Sequence, residues 1–230
     1  MYYGYGYDPT YILLIPGMIF AFYAQTKITS TFNKFLRVRN SYGYTGYEVA
    51  RRILDANGLN SVRIEMVGGQ LTDHYDPRSK VLRLSRDVYN GTSLASAGVA
   101  AHECGHAIQH SEDYTPLTIR NTIAPIASFG SQAAWFLIFI GLVLNMMQLF
   151  TLGIYFFSAV VLFQIITLPV EYNASRRAII ALEDYGLVAR DEVYGAKKVL
   201  SAAALTYVAA TVTAILQLLR LLLIRGRRQD

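Results

Sequence analysis

Residues 121–170 form a 50-residue stretch with no Asp, Glu, Lys or Arg. Two membrane crossings of about 20 residues each, joined by a tight turn, fit inside such a run. The crossings are expected near 123–144 and 152–168, with residues 145–151 (NMMQLFT) as the turn, where Asn145 and Gln148 meet water or headgroups. The rest of the chain must be arranged around this transmembrane hairpin.

Two further apolar segments flank it. Residues 199–219 are also uncharged but richer in Ala and Thr, the composition of a helix that packs on protein as well as lipid. We place a C-terminal membrane helix at 199–224. The first segment, 11–24, is short for a span, although the tyrosines before it extend it into the interface, so an N-terminal membrane segment is drawn at 8–25. The N-terminus lacks a basic n-region and a clear small-residue cleavage site, and the segment is expected to stay attached.

Apolar residues make up 53% of the chain, which fits a protein that hides surface in a bilayer. The net charge of +5 does not point to nucleic acid, because the Lys and Arg residues are scattered beside apolar runs. Lys27, Lys34, Arg37 and Arg39 follow the first segment, and Arg176, Arg177, Lys197 and Lys198 lie in the later polar stretch. The positive-inside rule puts both groups on the cytoplasmic side. Arg225, Arg227 and Arg228 run against a simple four-span topology. The single cysteine, Cys104, excludes an intramolecular disulfide and fits a reducing compartment.

Residues 40–120 read as a small soluble portion. Thr45 and Glu48 have capping-box spacing before a helix at 49–56, which Gly58 ends. Extended runs at 62–67 and 80–85, separated by Gly68-Gly69 and by the turn signal Asp76-Pro77, predict a small hairpin or sheet. A helix over 93–111 follows, with Leu94, Val99, His102, His106 and Gln109 near one face.

That helix carries His102-Glu103-Cys104-Gly105-His106, an HExxH pattern. Imidazoles four residues apart lie one helical turn apart and can bind one metal from the same side, with Glu103 beside them as a general base. Zinc in a hydrolytic site takes three protein ligands and leaves one position for a water. The third ligand must come from elsewhere, and His110, Glu112, His74, Glu171 and Glu183 are candidates. A metzincin would need Gly at 109 and His at 112, where this chain has Gln109 and Glu112. Glu171 is the better candidate, because it begins a polar helix just where the uncharged stretch ends, and an acidic residue at the mouth of a span calls for a partner. For the oxyanion, Tyr207, Arg176 and His74 are possible donors, with Tyr207 preferred as a hydroxyl in an apolar helix. Cys104 points away from the ligand face and is expected to be a small buried side chain.

The stretches LTDHYDPRSKVLRLS, SAGVAAHECGHAIQH, LPVEYNASRRA and AAALTYVAA resemble the YugP-type neutral zinc metallopeptidases across nearly the whole chain. The layout is more distantly similar to the HtpX and CAAX-prenyl endopeptidases, gluzincins in which a membrane hairpin separates HExxH from the ligand glutamate. The resemblance implies Glu171 as third ligand. Those relatives carry an aspartate four residues after that glutamate, where this chain has Ser175. It also implies that 81–85 is an open edge strand on which an extended peptide adds as a further strand.

The expected protein is thus an α-helical integral membrane protein with a small α+β gluzincin-like zinc peptidase domain. A peptidase domain at 40–120 precedes the hairpin at 121–170, and a helix at 171–198 carries the third ligand. Zn2+ is the cofactor, held by His102, His106 and Glu171, with Glu103 and Tyr207 catalytic. The partners are a membrane-associated or cytoplasmic polypeptide substrate and the lipid bilayer. The rival readings are a membrane scaffold or transport component with a structural zinc site, and a zinc hydrolase acting on a non-peptide amide.

Overall fold

The computed structural model describes residues 9–227. The N-terminal tyrosines before Pro9 and the tail residues after Arg227 lie outside the described residues. A 3-10 turn, Pro9–Leu14, leads into α1 (Ile15–Leu36), followed by α2 (Gly46–Ala56), β1 (Arg63–Val67), β2 (His74–Asp76), β3 (Val81–Ser85) and the short α3 (Arg86–Tyr89). Then come α4 (Leu94–Ser111), α5 (Thr115–Val143), α6 (Met147–Asp184) and α7 (Val193–Arg227). The described residues are mostly helical, with a small sheet and four helices long and apolar enough to cross a membrane: Pro9–Leu36, Thr115–Val143, Met147–Asp184 and Val193–Arg227.

The described residues divide into two compact units, one formed by residues 24–118 and 168–206, the other by residues 9–23, 119–167 and 207–227. In the second of these, α5 and α6 form the hairpin, with Ala134, Ile138, Phe150, Ile154, Phe157 and Val161 buried in one cluster. The turn is tighter than the expected 145–151. Residues 144–146 suffice, because Asn145 takes the left-handed conformation at φ 53° that Asn tolerates better than most residues, so α6 begins at Met147.

The other unit is built on local signals. Thr45 caps α2 by accepting from the Glu48 N–H, while the Glu48 carboxylate accepts from the Thr45 N–H, closing the capping box. Gly58 follows at φ 70°, a conformation that costs glycine little, and the chain turns towards β1. The strand order is β1-β3-β2, with β1 parallel and β2 antiparallel to β3. The expectation for 81–85 is therefore corrected. β3 is the central strand, paired along its length with β1 and over Val81–Arg83 with β2, and four of its five residues are buried. The edges are β1 and β2.

A common core joins α2, the sheet and α4: Ile53 and Leu54, Leu82 and Leu84, Ala97 and Ala101 are all fully or nearly fully buried. Ala178 and Leu182 from the later part of α6 and Val199 from α7 complete it. α6 also departs from expectation. No helix begins at Glu171, because α6 continues without interruption through Pro169, with the proline inside it.

Candidate metal centre

α4 starts at Ser93, whose hydroxyl caps it by accepting from the Ser96 N–H at 3.0 Å. His102 and His106 project from one side of it, their rings 4.8 Å apart and nearly perpendicular. Glu171 of α6 lies opposite, only 2% exposed. Its Oε2 is 3.2 Å from His102 Nε2 and 3.5 Å from His106 Nε2. Two donor atoms bound to one tetrahedral zinc are separated by roughly 3.3 Å, given bond lengths of about 2.0–2.2 Å. The donor set and the two carboxylate–imidazole separations therefore suit zinc, and all three donor atoms lie within 4.8 Å of one another.

The outer nitrogens of both rings are also engaged. His102 Nδ1 is 3.1 Å from the Ser175 hydroxyl, and His106 Nδ1 is 3.0 Å from the side-chain oxygen of Gln109. Gln109 can present only that oxygen, because its amide nitrogen donates to the Val170 carbonyl and to Asn173 Oδ1, both at 2.9 Å. Asn173 is fixed in turn by Arg177, whose Nε donates to the same Oδ1 at 2.8 Å, and Arg177 is paired with Glu112 at 2.6 Å. His106 Nδ1 therefore carries a hydrogen, and the Nε2 lone pair is aimed at the carboxylate of Glu171. A lone pair facing a carboxylate is stable only with a cation between them, a proton or a metal.

The electrostatics agree. Burial alone would push the His106 imidazole down, yet the hydrogen bond and charge of Glu171, followed by the charge of Glu103, hold it above its ordinary value. Glu103 is 7% exposed and beside the histidines, and among the described residues its carboxylate accepts no hydrogen bond. It interacts with Asp73, whose carboxyl is pushed up by burial against the hydrogen bonds it accepts from the Ser85 N–H and hydroxyl.

Gly105 is what lets the two helices meet. A Cβ there would sit 2.6 Å from the Ala174 carbonyl oxygen, so only a residue without a side chain allows α4 to lie against α6 at the turn that carries Glu171. Cys104 points the other way, fully buried, its thiol donating to the Ala50 carbonyl, and burial pushes that thiol well up.

Among the described residues, His102, His106 and Glu171 are the group that could hold a metal. The other third-ligand candidates are engaged elsewhere or outside this group. His110 Nδ1 meets the Tyr75 hydroxyl at 2.9 Å, Glu112 pairs with Arg177, His74 Nδ1 meets the Thr72 carbonyl at 2.8 Å, and Glu183 is exposed. Arg176 is exposed on α6, and Tyr207 is half-buried on α7. Sequence reasoning missed the roles of Gln109 and Asp73. A signal for Gln109 was present: an amide three residues after His106 on an apolar helix must find buried partners.

A family profile described as "Putative neutral zinc metallopeptidase" matches residues 10–226. The "Putative membrane protease YugP" of Bacillus subtilis (strain 168) is 50% identical over 220 residues, which is 95% of this chain and 98% of that protein. No solved structure matches the chain significantly. With a family profile matching residues 10–226, a relative 50% identical over 95% of the chain, and a histidine pair and a glutamate that could hold a metal, the chain belongs to the neutral zinc metallopeptidase family, with Zn2+ as its metal.

Proposed function

We propose that this chain is a membrane-bound metalloendopeptidase of gluzincin type, in which His102, His106 and Glu171 are the zinc ligands and Glu103 is the general base and then the general acid. The observation that carries this reading is the convergence of two imidazole nitrogens and one buried carboxylate oxygen, with both outer nitrogens already engaged. Bound there, zinc supplies a water acidified to a pKa of about 7 and a positive charge against the developing oxyanion. Glu103, buried beside the histidines, would accept a proton from such a water and return it to the leaving amine. Ser175 and Gln109 keep the rings oriented throughout. The Tyr207 hydroxyl is proposed as a further oxyanion donor, with Tyr207→Phe as its test.

Substrate is proposed to add along β2 rather than β3. β2 is an edge of the sheet, and its Tyr75 reaches α4 through His110. An extended polypeptide there would be held by main-chain hydrogen bonds, which favours peptide over other amides. The lysine and arginine distribution favours a site on the cytoplasmic side. Among the described residues three donors converge, which leaves a coordination position for chemistry and disfavours a purely structural metal.

The test is zinc content and casein cleavage measured on the same detergent-purified preparations. Wild type should hold about one zinc per chain and cleave. Glu103→Gln should keep its zinc and lose roughly 10²–10⁴-fold in rate. Glu171→Ala should lose both. Full cleavage by zinc-loaded Glu103→Gln would falsify the mechanism, and zinc retained by Glu171→Ala would remove Glu171 from the ligand set.

A further inference from the structure

Away from the metal centre, two helical stripes face each other across a groove of about 500 Å3 between α1 and α7. On α1, Lys27, Thr31 and Lys34 recur at spacings of three and four residues and so share one face; on α7, Lys198, Ser201 and Leu205 do the same. The helices touch at one end of the groove, since a Cβ on Gly195 would lie 2.9 Å from a ring carbon of Phe35. Two of the lysines lie over aromatic rings there, Lys34 at 5.6 Å from the centre of Phe35 and Lys198 at 4.9 Å from that of Tyr194.

The groove is lined by three ammonium groups and no carboxylate. Among the described residues none of these lysines has an ion-pair partner. Like charges gathered in one groove repel until an anion enters. Placement then selects the kind of anion. Lys27 is the first charge after the uncharged residues 9–26, and Lys198 is the last before the uncharged residues 199–219. α1 runs from apolar to polar and α7 from polar to apolar, so both stripes belong to one membrane face. Along a spanning helix, the end of the uncharged run is where hydrocarbon gives way to headgroups. Leu205 lies towards the apolar end of α7, and the lysines can snorkel from there to phosphate level.

We propose that this groove binds the headgroup of an anionic phospholipid. The ammonium groups of Lys27, Lys34 and Lys198 neutralise the phosphate, the Thr31 and Ser201 hydroxyls donate to it, and an acyl chain runs towards Leu205. The site is separate from the metal centre and does not depend on the catalytic reading.

The experiment uses the full-length, zinc-loaded chain in detergent. Native mass spectrometry counts bound phosphatidylglycerol against phosphatidylcholine of identical acyl chains, and thermal unfolding is followed with each lipid. Wild type should retain phosphatidylglycerol preferentially and be stabilised by it. Lys198→Gln should weaken that preference roughly fivefold, and Lys27→Gln/Lys34→Gln/Lys198→Gln should abolish it, at about fivefold per lysine. Zinc content should not change in either variant. Equal binding of the two lipids by wild type overturns the proposal, as does a preference that both variants keep in full. Inorganic phosphate is the remaining probe. If phosphate alone stabilises wild type and phosphatidylglycerol adds nothing, the ligand is a soluble anion and the lipid assignment is wrong.

Discussion

Gln109 reaches the candidate metal centre through the outer nitrogen of His106. It is fully buried, its amide nitrogen is taken by two acceptors, and its oxygen has to face His106. Gln109→Met keeps the length and removes both ends of the bridge. We expect zinc affinity, measured by chelator competition, to fall about 10- to 100-fold while helix content in the zinc-free state is retained. An unchanged affinity would reduce Gln109 to packing. His106 also sets a pH dependence. In the zinc-free chain its pKa lies above the ordinary value of 6.5, and a protonated Nε2 cannot bind metal. Zinc affinity should therefore fall as pH drops through that raised value, earlier on acidification than for an unperturbed histidine. That His102 and His106 share one side of α4 was legible in the chain, because helical periodicity puts residues four apart on one face. For Gln109 the need for buried partners was legible but their identity was not, because Val170 and Asn173 lie far along the sequence.

The meeting of α4 and α6 depends on one missing methyl. Gly105→Ala places a carbon against the Ala174 carbonyl oxygen, a backbone atom with nowhere to go. It should destabilise the protein by about 1–3 kcal/mol and lower zinc affinity as well, because the displaced turn carries Glu171. Unfolding curves with and without zinc would separate these effects. The β2–β3 hairpin carries its own acid-sensitive lock. The Asp76 carboxyl is held down to about 2, first by the Ser79 hydroxyl and then by the Arg78 N–H. A depressed carboxyl contributes stability that is complete above its unfolded pKa and is lost as pH falls through the folded one. Asp76→Asn should thus be less stable at neutral pH and vary less between about pH 4 and pH 2, as read from denaturant midpoints across that range.

A metal at this centre would join segments that are distant in sequence. His102 and His106 lie before the membrane hairpin in sequence and Glu171 after it, so zinc held by all three would close a loop that contains the hairpin. A ligand that binds only the folded state raises stability by about 2.7 kcal/mol at 100 times its Kd. Chelation should lower the thermal midpoint, and the midpoint of wild type should rise with free zinc. Glu171→Ala should show neither response. A midpoint indifferent to zinc in wild type would argue against a bound metal holding these elements together.

Much of this was readable along the chain because the signals are local. A bilayer demands an uninterrupted apolar run, a capping box needs neighbours three residues apart, and an HExxH pair needs one helical turn. Apolar length thus announced the hairpin, and Thr45 and Glu48 announced α2. Long-range geometry was not readable in the same way. Nothing in the order of residues 63–85 says which strand lies in the middle, since pairing is decided by which faces can be buried together; β3 won that place by having both faces covered. Likewise Pro169 marked a helix boundary by its chemistry, yet packing against α4 carried α6 straight through it. The convergence of Glu171 on the two histidines, the Gln109 bridge, and the gathering of Lys27, Lys34 and Lys198 in one groove all arise between elements distant in sequence. Only the folded chain brings those side chains within range of one another.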